Sequence, residues 1–122
     1  HVTGVQTCAL PISNLHERFG ERFLRRILCP GEMAYCLSIA QPAPHLAARF
    51  AAKEAASKAF GTGIGSVLGW HDIEVRRQPS GAPMIELHGA GAALFLERGG
   101  RRIHVSLTHT ATHAGAVVVL ES

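Results

Sequence analysis

Cysteine, tryptophan, tyrosine and long apolar runs are all scarce in this chain, and each scarcity removes a class of protein. The three cysteines, Cys8, Cys29 and Cys36, form no CxxC pair and leave an odd thiol. Neither a disulfide framework nor a zinc site is indicated, and a reducing cytoplasm is the compartment that fits. No apolar run reaches spanning length, which excludes a transmembrane helix. Basic residues exceed acidic ones by a net charge of +3, too small an excess to announce nucleic acid. Aspartate is absent before position 72. Internal repeats, linkers and low-complexity segments are missing too, so nothing divides the chain.

What is present suits a single globular domain. A length of 122 residues allows an ordinary core without staples, and 47% hydrophobic with 17% charged residues is close to average usage. Residues 1–13, HVTGVQTCALPIS, stand apart: they show no clear period, no initiator methionine and no signal-peptide pattern, and Pro11 interrupts any helix. From Ser13 or Asn14, either able to act as an N-cap, Leu15, Phe19, Phe23 and Ile27 with Leu24 and Leu28 recur on one face, predicting an amphipathic helix that runs through Gly20. Its other face carries Arg18, Arg22, Arg25 and Arg26, with Glu17 and Glu21 as partners, the pattern of a solvated surface. Pro30 opens a second short helix to about Ser38, and Gln41 to Pro44 reads as a loop.

A long helix follows from about His45 to Phe60, with Leu46, Phe50 and Ser57 as a thin stripe to pack on a sheet. Beyond Gly69 the period becomes two. Ile73 and Val75 pair with Ile85 and Leu87 across a turn at Pro79 to Ala82; Ala90 to Glu97 forms a short helix closed by Gly99 and Gly100; then Ile103, Val105 and Leu107 alternate before a final apolar strand, Ala114 to Leu120. Helices first and antiparallel strands later predict an α+β fold, an antiparallel sheet packed on the long central helix.

The long helix holds the densest chemistry. Glu54 and Lys58 stand one turn apart with Glu first, the favourable order for an ion pair, and Arg49 and Lys53 repeat that spacing one turn earlier. Read alone, these residues are a charged, solvated face, with the Glu54–Lys58 pair worth a few tenths of a kcal/mol. The helix ends, however, in the glycine-rich run Gly61, Thr62, Gly63, Ile64, Gly65, where backbone can approach a ligand closely. The run follows the helix and lacks the Lys-Ser/Thr ending of a P-loop, so a phosphate there would face the negative end of the helix dipole. Lys58, arginines or a metal ion would have to hold it.

The stretch RFAAKEAASKAFGTGIG, Arg49 to Gly65, resembles the central motif of the holo-acyl-carrier-protein synthases, the small phosphopantetheinyl transferases. The resemblance continues through Trp70 to Val75 (WHDIEV), Ser80 to Pro83 (SGAP) and Val105 to Thr110 (VSLTHT), and covers roughly Phe19 to Glu121. It implies the phosphopantetheinyl transferase fold and transfer of the phosphopantetheine arm of coenzyme A to a serine of apo acyl carrier protein, with Mg²⁺ assisting and adenosine 3',5'-bisphosphate leaving. It also implies homotrimers with each site between neighbours. By the same likeness Glu54 is a metal ligand, Lys58 and Arg49 bind phosphate, and Gly61, Gly63, Ile64, Gly81, Pro83, Ser106 and His109 border coenzyme A. Glu54, Lys58 and His109 would form the catalytic set, His109 binding substrate or relaying the serine proton. Arg22 and Arg26 match the helix that docks the acidic carrier. The other seven histidines are read as structural or surface.

One departure from the family is large. Its members begin with a strand carrying GxDxxxxxR, whose Asp ligates the metal, and residues 1–13 contain neither residue. The expectation is that this segment is non-native and replaces the first strand, with the transferase domain spanning 14–122. The alternative function is a non-catalytic module that binds coenzyme A or an acidic carrier.

Overall fold

The computed structural model describes residues 2–11 and 15–122, apart from the side chains of Thr3 and residues 15–19. The expected N-caps Ser13 and Asn14, and the side chains of Glu17, Arg18 and Phe19, lie outside the described residues. Along the chain run β1 (Val2–Pro11), α1 (Leu15–Ile27), α2 (Pro30–Leu37), α3 (Pro42–Phe60), a turn of 3-10 helix (Trp70–Asp72), β2 (Ile73–Arg77), β3 (Pro83–Leu87), α4 (Gly89–Glu97), β4 (Arg102–His109) and β5 (His113–Glu121). The architecture is α+β, as expected, but its strands form two antiparallel sheets. One has the order β1-β5-β4 and the other is the β2-β3 hairpin.

α3 is the axis of the molecule. Its alanines let backbone approach from both sides, so the three-stranded sheet packs on one flank while α1, α2 and β2 pack on the other. Ala51, Ala52, Ala55 and Ala56 are fully buried, and with Phe60, Val75, Ile85, Val118 and Leu120 they form the main core. The expected thin stripe is therefore replaced by near-complete burial, since a helix covered on two sides needs apolar residues most of the way round. The helix also starts earlier than expected. Pro42 and Pro44 sit in its first turn, where the missing N–H groups would have been unpaired in any case.

α1 differs from its expectation as well. Gly20 has φ 70 and ψ 176, so it breaks the helix into two pieces rather than riding through it. Leu24, Ile27 and Leu28 still fall on one face and join Met33, Cys36 and Leu46 in a second core cluster.

β1 was invisible in sequence. It pairs antiparallel along β5 from Val2↔Glu121 to Pro11↔His113, with Cys8 and Leu10 turned toward the core and Val5, Thr7 and Ala9 exposed. An edge strand is held by backbone hydrogen bonds, which ask little of side chains. It crosses the end of α3 so closely that a Cβ at Gly4 would lie 2.8 Å from the Ala59 carbonyl oxygen. β5 alternates strictly beneath its apolar composition: Ala114, Ala116, Val118 and Leu120 face α3, whereas Val117 is exposed on the outer face.

Candidate active site

Two groups of charged side chains leave α3 in different directions. Lys58 is exposed and Glu54 half-buried, and both lie beside Cys8 of β1. Burial pushes the Cys8 thiol up, while Lys58 draws it down and Glu54 adds a smaller upward push. Among the described residues Glu54 and Lys58 form no ion pair with each other or with any other group. The solvated pair suggested by their spacing is thus not made, and both heads remain available.

Arg49 belongs to the second group. Nine residues before Lys58, it stands roughly half a turn around α3 and roughly 14 Å along its axis. It is 4% exposed and lines a cavity of about 230 Å³ with Tyr35, Pro44, His45, Ala48, Arg77, Gly81, Pro83, Leu107, Thr108 and His109. The structure therefore gathers Arg49, Gly81, Pro83 and His109, four of the residues singled out in sequence, and leaves Glu54, Lys58 and the glycine run elsewhere.

Among the described residues the wall of this cavity carries Arg49 and Arg77 and no acidic side chain, so it is electropositive. The Arg49 guanidinium lies 4.8 Å from the Tyr35 ring centre and that of Arg77 lies 5.0 Å from it, so both cations sit within reach of one ring. Arg77 Nη1 donates to the Tyr35 hydroxyl. Arg49 Nη1 donates to the His45 carbonyl at 3.3 Å, whereas its buried Nε has no hydrogen-bond partner among the described residues. A buried donor of a charged group left without an acceptor is costly, and the two guanidinium charges in the wall suit the cavity to an anion. The rings of His45 and His109 are 6.2 Å apart. Burial first, then Arg49 and His109, hold His45 below its ordinary pKa.

Tyr35, His45 and Arg77 were missed in sequence. His45 was read as structural or surface; it lies in the cavity because the helix begins at Pro42 and so presents it beside Arg49. Ser106 falls on the exposed face of β4 and does not line the cavity. Gly61 and Gly63 take positive φ, but the N–H groups of residues 61–63 turn back to the carbonyls of Lys58 and Ser57, which leaves them unable to cradle a phosphate. Ile64 packs against the main core. Arg22 and Arg26 lie together on the exposed side of α1, without an ion-pair partner among the described residues.

Lys53 overturns its own expectation most clearly. It is 0% exposed and paired with Glu32 at 2.7 Å, far from any solvated face.

The model of the 4'-phosphopantetheinyl transferase superfamily matches residues 9–117. The chain belongs to that superfamily. It is 48% identical over 120 residues to a holo-[acyl-carrier-protein] synthase of Koribacter versatilis, covering 98% of this chain and 96% of that one. A crystal structure of the holo-[acyl-carrier-protein] synthase of Neisseria meningitidis superposes with a TM-score of 0.91 at 32% identity, covering 100% of both chains. The Helicobacter pylori synthase, solved in complex with coenzyme A, gives a TM-score of 0.84 at 32% identity, over 96% of this chain and 99% of that one.

Proposed function

We propose that this chain is a holo-[acyl-carrier-protein] synthase, and that a cytoplasmic, magnesium-dependent transfer of phosphopantetheine from coenzyme A to a carrier serine is its reaction. The observation that carries this reading beyond family membership is the cavity lined by Arg49, Arg77, His45 and His109, whose charge suits a phosphate-bearing ligand. The Helicobacter pylori relative binds coenzyme A, and the cavity suits the phosphorylated nucleotide end of that molecule. Arg49, Arg77 and His109 hold its phosphate in this reading, with Gly81 and Pro83 at its border.

The reaction forms a bond between the carrier's serine oxygen and the phosphorus bearing the pantetheine. The bridging P–O bond of the diphosphate breaks, the serine hydroxyl gives up its proton to the leaving phosphate or to solvent, and adenosine 3',5'-bisphosphate leaves. Lys58 meets the diphosphate as a mobile point charge, offsetting the negative end of the α3 dipole. A magnesium ion, when bound, neutralises diphosphate charge. The donors here meet only its minimum, because Glu54 supplies one hard oxygen ligand and its neighbour across the strand is the soft thiol of Cys8. Water and substrate phosphates would complete the shell.

Arg49 and Lys58 leave opposite sides of α3, roughly 14 Å apart along its axis, which separates the nucleotide-phosphate cavity from the diphosphate site within one chain. A homotrimer with sites between neighbours resolves this, each site taking Glu54 and Lys58 from one copy and the Arg49 cavity from the next. The outer face of the three-stranded sheet suits such an assembly, exposing Val5 and Val117. Arg22 and Arg26 are proposed to dock the acidic carrier. Residues 1–13 are proposed to stand in for a native first strand, leaving 14–122 as the transferase domain; reading the gene upstream of this point tests that.

The deciding experiment incubates the chain with coenzyme A, Mg²⁺ and an apo acyl carrier protein, and weighs the carrier. Slow gain of the phosphopantetheine mass is expected, accelerated by a GxDxxxxxR strand in place of residues 1–13. A carrier that stays unmodified even with the grafted strand, while coenzyme A still binds, would favour the non-catalytic binding module instead.

A further inference from the structure

Two sets of contacts repeat on the same three elements. In the deeper set, Lys53 of α3 donates to Glu32 Oε1 of α2 at 2.7 Å, to the Trp70 carbonyl at 3.0 Å and to the Ile73 carbonyl at 2.6 Å. An ammonium has three donors, and all are used. Glu32 accepts the Cys29 N–H on Oε1 at 2.8 Å and the Val75 N–H of β2 on Oε2 at 2.7 Å. Both side chains are wholly buried.

A buried ion pair so fully hydrogen-bonded is tolerated, yet it adds little net stability over an apolar pair of similar size. Fixing one arrangement of neighbouring elements is a different service, and the spacing of the second set of contacts shows what is arranged. Tyr35 lies three residues beyond Glu32 on α2, Arg49 four before Lys53 on α3, and Arg77 two beyond Val75 on β2. Each interval is the same-face spacing of its element. Those three neighbours make the stack in the cavity wall, with the Arg49 and Arg77 guanidinium groups both against the Tyr35 ring. Neither Glu32 nor Lys53 lines the cavity itself.

We infer that the Glu32–Lys53 pair is a positioning device for the anion cavity. It locks α2, α3 and β2 in the register at which Tyr35 aligns the two guanidinium groups toward the phosphate of the bound nucleotide. The inference rests on the reading of that cavity as the nucleotide site. Glu32 and Lys53 act through the stack and touch no ligand.

The test uses the full chain and measures adenosine 3',5'-bisphosphate binding by calorimetry, alongside thermal unfolding and near-ultraviolet circular dichroism of Trp70. The double variant Glu32→Gln/Lys53→Met removes both charges at nearly constant volume. It is expected to fold, to bind the bisphosphate about tenfold more weakly, as misplaced ligand clamps do, and to show an altered Trp70 signal. Unchanged affinity in the folded double variant overturns the inference and leaves the pair a purely structural element. Should the double variant not fold, Glu32→Gln alone, which retains the side-chain size and an acceptor for Lys53, is expected to weaken binding several-fold; unchanged affinity, or loss of folding there as well, equally overturns it. No binding by the unsubstituted chain is a separate failure, that of the cavity reading.

Discussion

Arg49 shows how far a single residue's chemistry follows from its type and how far from its surroundings. Its fork suits a phosphate wherever it sits, but only its place in the cavity wall beside Tyr35, His45 and Arg77 sets that fork where an anion can enter. Replacing it by glutamine is expected to cost about 2 kcal/mol of bisphosphate affinity, roughly 30-fold, measurable by calorimetry. His45 adds a pH dependence. Its folded pKa is depressed, so as pH falls through the ordinary value, about 6.5, the unfolded chain takes up the proton first and stability is lost until the folded value is passed. The melting temperature should therefore begin to fall as pH drops through about 6.5 and go on falling below it, and His45→Gln should flatten that slope. Cys8 is the residue whose replacement is most informative for the metal. Cys8→Asp would set a second carboxylate beside Glu54, and tighter Mg²⁺ binding in a titration is the expected result. Cys29 and Cys36, whose thiols burial raises to about 11, remain inert bystanders.

Among the elements, those with a clear period were legible and those held by backbone alone were not. The β2-β3 hairpin, α2, α4 and β4 lie where alternation, proline and glycine placed them. β1 was missed because a strand on the sheet's edge tolerates almost any side chain, and only its register against β5 shows Cys8 facing inward. α3 was read correctly as central but given the wrong surface, since the alanines that suggested close approach also allowed a second layer to cover Arg49 and Lys53. Its C-terminus depends on Gly61 at φ 79, with residues 61–63 closing back on Lys58 and Ser57. Gly61→Ala should cost about 1–2 kcal/mol through the strained left-handed backbone, read as a lower melting temperature, and should loosen the turn that carries Lys58.

At the scale of the whole molecule, the proposed sites between copies set Glu54 and Lys58 of one chain against the Arg49 cavity of another. If sites are shared, Arg49→Gln and Glu54→Ala proteins, each impaired alone in a background carrying the aspartate strand, should recover activity when mixed and allowed to exchange subunits; no recovery in mixed assemblies would argue for sites within one chain. The sequence by itself determined the α+β class, the central helix, the superfamily and most of the residues with suitable chemistry, because periodicity, turn residues and a dense local motif are written in short stretches of chain. Only the tertiary structure decided which of those residues meet. Arg49, Gly81, Pro83 and His109 come together with Tyr35, His45 and Arg77, while Glu54 and Lys58 turn to Cys8, and Lys53 disappears beneath Glu32. The reason is geometric: helical phase and burial depend on what packs against each face, and that is set by segments far apart in the chain.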